Sequence, residues 1–427
     1  MNNQRHIAIS VLIEINQQGA YNNIALRRAL DSCTEWQPHQ RAFVTELVNG
    51  TLRNQMLIDF VIDSFSRKPA AKMKPFIREL LRTAVYQINW MDKVPPSAAV
   101  NEAVKLARGH GYAALSGFVN GILRNIVRAH ENGGIPMPQD GKGSEAHTRY
   151  LSLRYSFPLW LVKLLIDRMG EGAEDFCIES HVPPPVTVSV NPLKTSREAL
   201  AADLGASGIR YGKSSRSDFC LHLKHVSDIT SLDVYRKGHF FVIDEGAYLA
   251  AHALSAKPGQ NIIDLCAAPG GKSFALAGMM ENIGQIISCD IHPHKIRLMA
   301  STAKRLGITC INTEERDASI VNPVWDEWAD AVLLDVPCSG LGVIRKKPDI
   351  KYTKTYKDVT AMAELQRKLL SAAESYVKPG GILVYSTCTV TREENEDNVR
   401  WFLDKFPFSL EEERNLSGFF IARMVRK

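Results

Sequence analysis

Apolar residues recur at helical spacing through the first third of the chain and in strand-like runs through its last part. Residues 5–18 place Ile7, Val11, Leu12 and Ile15 on one side of a helix. Residues 40–52, 56–64, 75–89, 98–108 and 115–128 repeat the pattern, and Pro38, Pro69, Pro95 and Pro96 punctuate it. Short connections between such helices predict a compact bundle over residues 1–130. Residues 131–142 are rich in Gly, Pro and Asn without periodicity, and a linker is expected over 131–147.

Residues 148–235 mix the two patterns and predict a small α+β domain. A helix is expected over 158–169. Prolines at 183–185 lead into an alternating strand ending at Val190, followed by a helix near 196–204. From about residue 236 strands and helices alternate. Strands are expected at 239–243, 261–265, 285–289, 308–312, 331–334 and 382–385. Helices are expected at 246–255, 272–280, 293–306 and 357–377, and residues 408–413 and 418–425 form a closing strand pair. Such alternation predicts a Rossmann-like α/β domain over 236–427, its parallel sheet covered on both faces.

The whole chain, 427 residues with a net charge of +6, is too long for one ordinary core. The charge is unevenly spread. Residues 1–130 hold 16 Lys and Arg against 9 Asp and Glu, a net of +7, which leaves about −1 for the rest. A basic helical bundle attracts polyanions, because contacts to phosphates release condensed counterions.

Eight cysteines are scattered without any Cys-x-x-Cys. His222 with His225, and His292 with His294, lack acidic or cysteine partners at zinc spacing, so no metal is expected. Residues 1–15 show no secretory pattern, and no stretch approaches 18 apolar residues. Reduced thiols in a cytoplasmic protein, with no membrane partner, are the expectation.

The expected strand 261–265 runs into Cys266-Ala-Ala-Pro-Gly-Gly-Lys272 and then a helix. Small residues and two glycines let the backbone approach a ligand closely. A Walker A loop would need glycine where Cys266 stands, and the dinucleotide fingerprint is absent. The turn Cys266, Ala267, Ala268, Pro269, Gly270, Gly271 and Lys272 has room for a nucleoside but no phosphate cradle. That suits S-adenosylmethionine. Asp290, ending the next strand, can accept both ribose hydroxyls, and Asp317, after the third strand, can face the adenine amino group.

Two thiols follow at the ends of later strands, Cys338 in Asp335-Val-Pro-Cys-Ser-Gly and Cys388 in Tyr385-Ser-Thr-Cys-Thr. Carbon 5 of a pyrimidine is a poor nucleophile. A thiolate adding at carbon 6 turns the ring into an enamine-like species that can attack a methyl group. A carboxyl such as Asp335 can protonate or hydrogen-bond the ring nitrogen. A second thiol can assist release. Position alone leaves open which cysteine attacks.

The set Asp264-Leu-Cys-Ala-Ala-Pro-Gly-Gly-Lys272, Asp290, Asp317, Asp335-Val-Pro-Cys-Ser-Gly-Leu-Gly342 and Tyr385-Ser-Thr-Cys-Thr-Val390 resembles the RNA cytosine-C5 methyltransferase family, the NOL1/NOP2/Sun group. The resemblance implies that Cys388 bonds to carbon 6, that Cys338 promotes release, and that Asp335 activates the base beside the cofactor. Residues 41–53, 101–108 and 118–124 resemble the helical NusB-type RNA-binding domain. Residues 189–196 resemble the short domain preceding the catalytic one, and residues 343–350 and 418–423 extend the match. This combination implies a monomer acting on small-subunit (16S) ribosomal RNA, free or partly assembled. Transfer RNA methylation and a non-catalytic antitermination-type factor are the alternatives. Arg345, Lys346 and Lys347 are candidates for RNA contacts at the mouth of the site, or a solvated loop. Two positions depart from the family pattern: Ser417 stands in place of an aspartate, and Asp244-Glu-Gly-Ala lacks the usual serines.

Overall fold

Helix start signals in the sequence act where they stand. The Asn3 side chain accepts the N–H groups of Arg5 and His6, opening α1 (Gln4–Gln18), and Gly19 ends it at φ 69°. α2 (Asn22–Asp31) and α3 (Pro38–Arg53) follow, then α4 (Gln55–Phe65), α5 (Pro75–Trp90), α6 (Pro96–Gly109) and α7 (Ser116–Glu131). Proline occupies the first turn of α3, α5 and α6, where its missing N–H costs no hydrogen bond. Leu12, Leu47, Val48, Val61, Leu81, Val85 and Leu123 form one buried core. The protein is described by a computed structural model covering residues 3–224, 226, 228–416 and 418–427. His225 and Ser417, singled out above, lie outside the described residues.

Internal contacts divide the chain into two units, Met1–Pro183 with Ile344–Thr355, and Pro184–Val343 with Tyr356–Lys427. Helices beyond residue 130 also belong to the first unit. α8 (Ser144–Arg154) begins inside the expected linker, and α9 (Leu159–Met169) and α10 (Gly172–Glu179) continue it. Leu151, Phe157, Leu161 and Leu165 are fully buried, and the Leu57 N–H donates to Ser156 Oγ at 3.0 Å. Through these apolar positions internal contacts group residues 148–183 with the helices.

Ile344–Thr355, which includes α16 (Ile350–Thr353), also belongs to the helical unit. Lys351 is buried there; its ammonium donates to the Arg53 carbonyl at 2.9 Å and faces the Phe157 ring at 4.6 Å. Burial pushes the Lys351 pKa well below the ordinary lysine value.

The second unit opens with an antiparallel sheet of β1 (Val186–Val190), β2 (Arg210–Lys213), β3 (Cys220–Lys224) and β4 (Phe240–Val242) in the order β2-β3-β1-β4. β1 does not alternate in burial as its sequence suggests. Val188 and Val190 pack with Leu200 and Leu204 of α11 (Arg197–Ala206), yet Ser189 between them is also buried.

The main sheet holds β5 (Asn261–Asp264), β6 (Gln285–Asp290), β7 (Ile311–Glu315), β8 (Ala329–Asp335), β9 (Val377–Thr387), β10 (Phe408–Leu416) and β11 (Phe419–Arg426). Their order is β10-β11-β9-β8-β5-β6-β7, parallel from β7 to β9 and antiparallel at β9-β11-β10. Successive strand residues feed opposite cores. Ile262, Ile286 and Leu333 face Leu276 of α14 (Gly271–Met279) and Met299 of α15 (Pro293–Leu306). Ile263, Ile287 and Leu334 face Leu369 and Leu370 of α17 (Tyr356–Glu374) and Phe402 of α18 (Glu396–Lys405).

β7 sits three residues later than the expected 308–312. It is the edge strand, so its polar Asn312, Thr313 and Glu314 are tolerated where a central strand would be apolar. The chain runs from β5 outward to β7, then returns to place β8 on the other side of β5. That reversal opens the crevice in which α/β proteins bind ligands.

Candidate active site

At the β5 end of the crevice the chain turns tightly into α14. Gly270 holds φ 102°, and a Cβ there would lie 2.5 Å from Phe274 and 2.6 Å from Met299. Glycine is thus required by both conformation and space. Beneath the turn Asp264 is fully buried and accepts the Ser273 hydroxyl at 2.6 Å, while its other oxygen has no partner. Burial raises its pKa to about 7. Asp290 ends β6, almost buried, with Oδ1 accepting the His292 N–H at 2.9 Å and lying 3.7 Å from Lys295 Nζ as an ion pair. Cys266 is half-buried in the turn, and burial raises its thiol pKa.

Asp317 lies after β7. Its Oδ1 accepts both the N–H and the hydroxyl of Ser319, at 2.9 and 2.7 Å, and these bonds lower its pKa. It therefore closes its own turn through Oδ1.

Cys338, Cys388 and Asp335 meet at the adjoining ends of β8 and β9. Cys338 and Cys388 sulfurs are 3.2 Å apart, and the Cys388 N–H points at the Cys338 sulfur at 3.4 Å. Asp335 accepts Lys272 Nζ on one oxygen and the Ser386 hydroxyl, at 2.7 Å, on the other. Lys272 is not a surface residue of the first helical turn. Burial alone would lower its pKa, but Asp335, Asp264 and the Cys388 sulfur together raise it. The Cys338 pKa stands well above the ordinary thiol value, through its bond to Cys388, burial and the negative charge of Glu394.

Glu394 is the group sequence reasoning missed. Fully buried, its Oε2 accepts the Ser339 N–H (2.8 Å) and the Gln366 amide (2.9 Å). Its Oε1 accepts the hydroxyls of Ser339 and Thr391, and Ser339 Oγ also meets Thr389 Oγ1 at 2.7 Å. One carboxylate thus ties the residue after Cys338 to the loop that carries Cys388. The only hint was an acidic run, Glu393-Glu-Asn-Glu396, which reads as a solvated helix start. A second clamp is Gly342, whose N–H donates to the Cys388 carbonyl at 3.0 Å and whose missing Cβ leaves room for Gly418. Arg345 belongs to the helical unit, where Nε donates to the Val182 carbonyl at 3.1 Å.

Among the described residues no cluster of three His, Cys, Asp or Glu fits a metal ion, and no helix is long and apolar enough to cross a membrane.

Residues 251–424 match the family described as 16S rRNA methyltransferase RsmB/F, residues 2–128 the NusB family, and residues 157–230 the RsmF/B-like ferredoxin-like domain. A probable ribosomal RNA small subunit methyltransferase B of Bacillus subtilis is 39% identical over 405 residues, 94% of this chain and 88% of that protein. The chain belongs to the RsmB/F methyltransferase family.

A ribosomal RNA small subunit methyltransferase B of Vibrio cholerae is 31% identical over 95% of this chain and 90% of its own length. Among solved structures, PH0851 superposes with a TM-score of 0.80 at 27% identity, covering 100% of this chain and 99% of its own. A methyltransferase homologue from Pyrococcus horikoshii gives 0.59 at 28% identity, over 66% of this chain and 99% of its own. The second unit therefore has the fold of the S-adenosylmethionine-dependent methyltransferases. The turn at Gly270, the strand-end carboxylate of Asp290 and the unpartnered Asp264 oxygen beneath them fit that cofactor, offering close backbone approach and hydroxyl or ammonium acceptors.

Proposed function

We propose that this RsmB/F protein methylates carbon 5 of a cytosine in small-subunit ribosomal RNA through a covalent adduct on Cys388. The supporting observation is the pair of sulfurs 3.2 Å apart beside the Lys272–Asp335 pair. S-adenosylmethionine supplies an electrophilic methyl group. The turn from Cys266 to Lys272 and the carboxylates Asp290 and Asp317 would hold it.

The Cys388 thiolate adds to carbon 6 of the cytosine. Asp335 is an acceptor between Lys272 and Ser386, so it orients the exocyclic amine, and the proton offered to the ring nitrogen comes from the Lys272 ammonium. Carbon 5, now electron-rich, takes the methyl group. Cys338, kept as the thiol by its contact with Cys388, burial and Glu394, hands its proton to the Cys388 sulfur while taking the proton from carbon 5. The carbon–hydrogen electron pair restores the C5–C6 double bond and expels Cys388, and the proton given to the ring nitrogen returns to Lys272. Ionisation of Cys388 then releases the proton it received, ready for the next turnover.

The cytosine must be unstacked to meet two thiols, so a loop or flipped nucleotide is the target. The helical NusB-like unit binds phosphates and orients the RNA. Bisulfite sequencing of ribosomal RNA from cells with and without the gene tests the reading. A single protected cytosine that disappears with the gene is expected, and an unchanged pattern would refute cytosine-C5 chemistry.

A further inference from the structure

The helical unit contains a polar cavity of about 510 Å³, lined by the end of α1, the start of α4, α5 and the segment that ends at Lys354. The volume lies in the range of small-molecule sites, about 300–1,000 Å³. Apart from the core position Ile15, none of its residues was singled out by sequence, and the chemistry proposed above does not use it.

Its lining has three kinds of group. The first is cationic. Arg82 is consumed by Asp59 and Glu79 at 2.6–2.8 Å. Arg78 reaches Glu79 through Nε alone, at 3.2 Å, which leaves its terminal amino groups for a ligand. Lys354 adds another positive charge. Three cations against Asp59 and Glu79 give the wall a net charge of +1.

The second kind is aromatic. Tyr21 is 54% exposed. Tyr352 has its hydroxyl bound to the carbonyls of Leu52 and Ser156, at 2.9 and 3.1 Å, so its ring is fixed and its polar atom occupied. The third is a pair of amides. Asn16 Nδ2 and Gln55 Oε1 are buried without a hydrogen-bond partner, and both residues line this cavity. An unmade buried hydrogen bond costs about 1–3 kcal/mol, so a donor and an acceptor left open together favour a ligand that supplies both.

Every nucleobase presents a donor beside an acceptor on its pairing edge and a flat face for stacking, and its phosphate is an anion. We propose that this cavity holds one unstacked nucleotide of the RNA substrate, its base against tyrosine and the Asn16 and Gln55 amides, its phosphate at Arg78 and Lys354. The proposal rests on the RNA-methyltransferase reading and adds a second contact point, in the helical unit. All four bases satisfy the pattern, so the site grips an unpaired nucleotide without choosing its sequence. An RNA that is fully paired at this point has no base to insert.

The test uses the full-length protein and protein-free small-subunit ribosomal RNA transcribed with 4-thiouridine. Near-ultraviolet crosslinking followed by peptide mapping should mark peptides containing Tyr21 or Tyr352. Tyr21→Ala and Lys354→Glu, both altering side chains at the edge of the cavity, should each weaken RNA binding about tenfold, the range expected for one lost stack or one lost phosphate contact. Lys354→Glu should also make the salt dependence shallower by about one unit of log–log slope. Cofactor affinity and melting temperature should stay at wild-type values.

Crosslinks confined to other parts of the helical unit, with both variants binding RNA as wild type, would overturn the proposal. So would crosslinks abolished by millimolar free nucleoside monophosphates while RNA affinity is untouched by the variants, since the cavity would then be a free-nucleotide site. Failure of the function reading looks different: wild-type protein would bind and crosslink but transfer no methyl group to the RNA.

Discussion

The buried carboxylate of Glu394 accepts the backbone N–H of Ser339 at 2.8 Å and so holds the residue next to Cys338. Because Thr391 and Thr389 join the same network, the loops that carry the two thiols are fixed to one another through a single side chain. Glu394→Gln replaces one acceptor oxygen by an amide NH2 that faces donors. It should lower kcat about 10²-fold, the cost of a misplaced reactive group, with KM for RNA and cofactor affinity nearly unchanged. Glu394→Asp should recover part of the loss. Equal losses in cofactor affinity and kcat, with no rescue, would mark Glu394 as a general stability residue.

Asp264 makes stability depend on pH. Its folded pKa, about 7, lies above the unfolded value of 3.8 because burial disfavours the charge. The folded state therefore binds more protons than the unfolded state between those values. The stabilising contribution of the protonated group is complete below pH 3.8 and is lost as pH rises to about 7. The loss is at most about 4 kcal/mol, and less where the chain relaxes. Denaturant titrations should show this decline superimposed on the other titrations of the protein, and Asp264→Asn should remove it. An identical pH profile in the variant would contradict the assignment.

Asp290→Ala tests the cofactor crevice. Loss of charge-assisted hydrogen bonds to ribose hydroxyls should weaken S-adenosylmethionine binding by about 1.5–3 kcal/mol. Calorimetry showing unchanged affinity would remove Asp290 from the site.

Gly342→Ala tests the clamp on the thiol loop. The added Cβ would fall 1.9 Å from the Gly418 carbonyl oxygen, so backbone must move. A loss of about 1–3 kcal/mol in stability is expected, typical of overpacking, together with slower turnover. A variant as stable and as active as wild type would show that the two glycines do not constrain the loops.

Much of this was legible in the sequence because strands and turns punctuate the second unit sharply. Apolar runs before Asp264, Asp290 and Asp335 read as buried strands, and their ends carry the residues proposed for the chemistry. The bundle was legible from its period. Glu394 was not, because a carboxylate in an acidic run reveals its role only when donors converge on it, three of the four from distant positions. Lys351 was hidden in the same way: it follows Arg345-Lys-Lys347, which resembles a solvated patch, yet it is buried against Phe157. α8 was masked by the glycines and prolines before it. β7 was misplaced because an edge strand does not need the apolar residues by which strands are found.

The division of labour between the sulfurs of Cys338 and Cys388 is the central claim, and trapping the covalent adduct tests it most directly. Cys338→Ala should still permit attack and methyl transfer but not release, so a protein–RNA band should accumulate on denaturing electrophoresis and vanish on RNase treatment. Cys388→Ala and the double variant should give no band and no turnover. A stable band with Cys388→Ala and none with Cys338→Ala would contradict the account and place the nucleophile at Cys338.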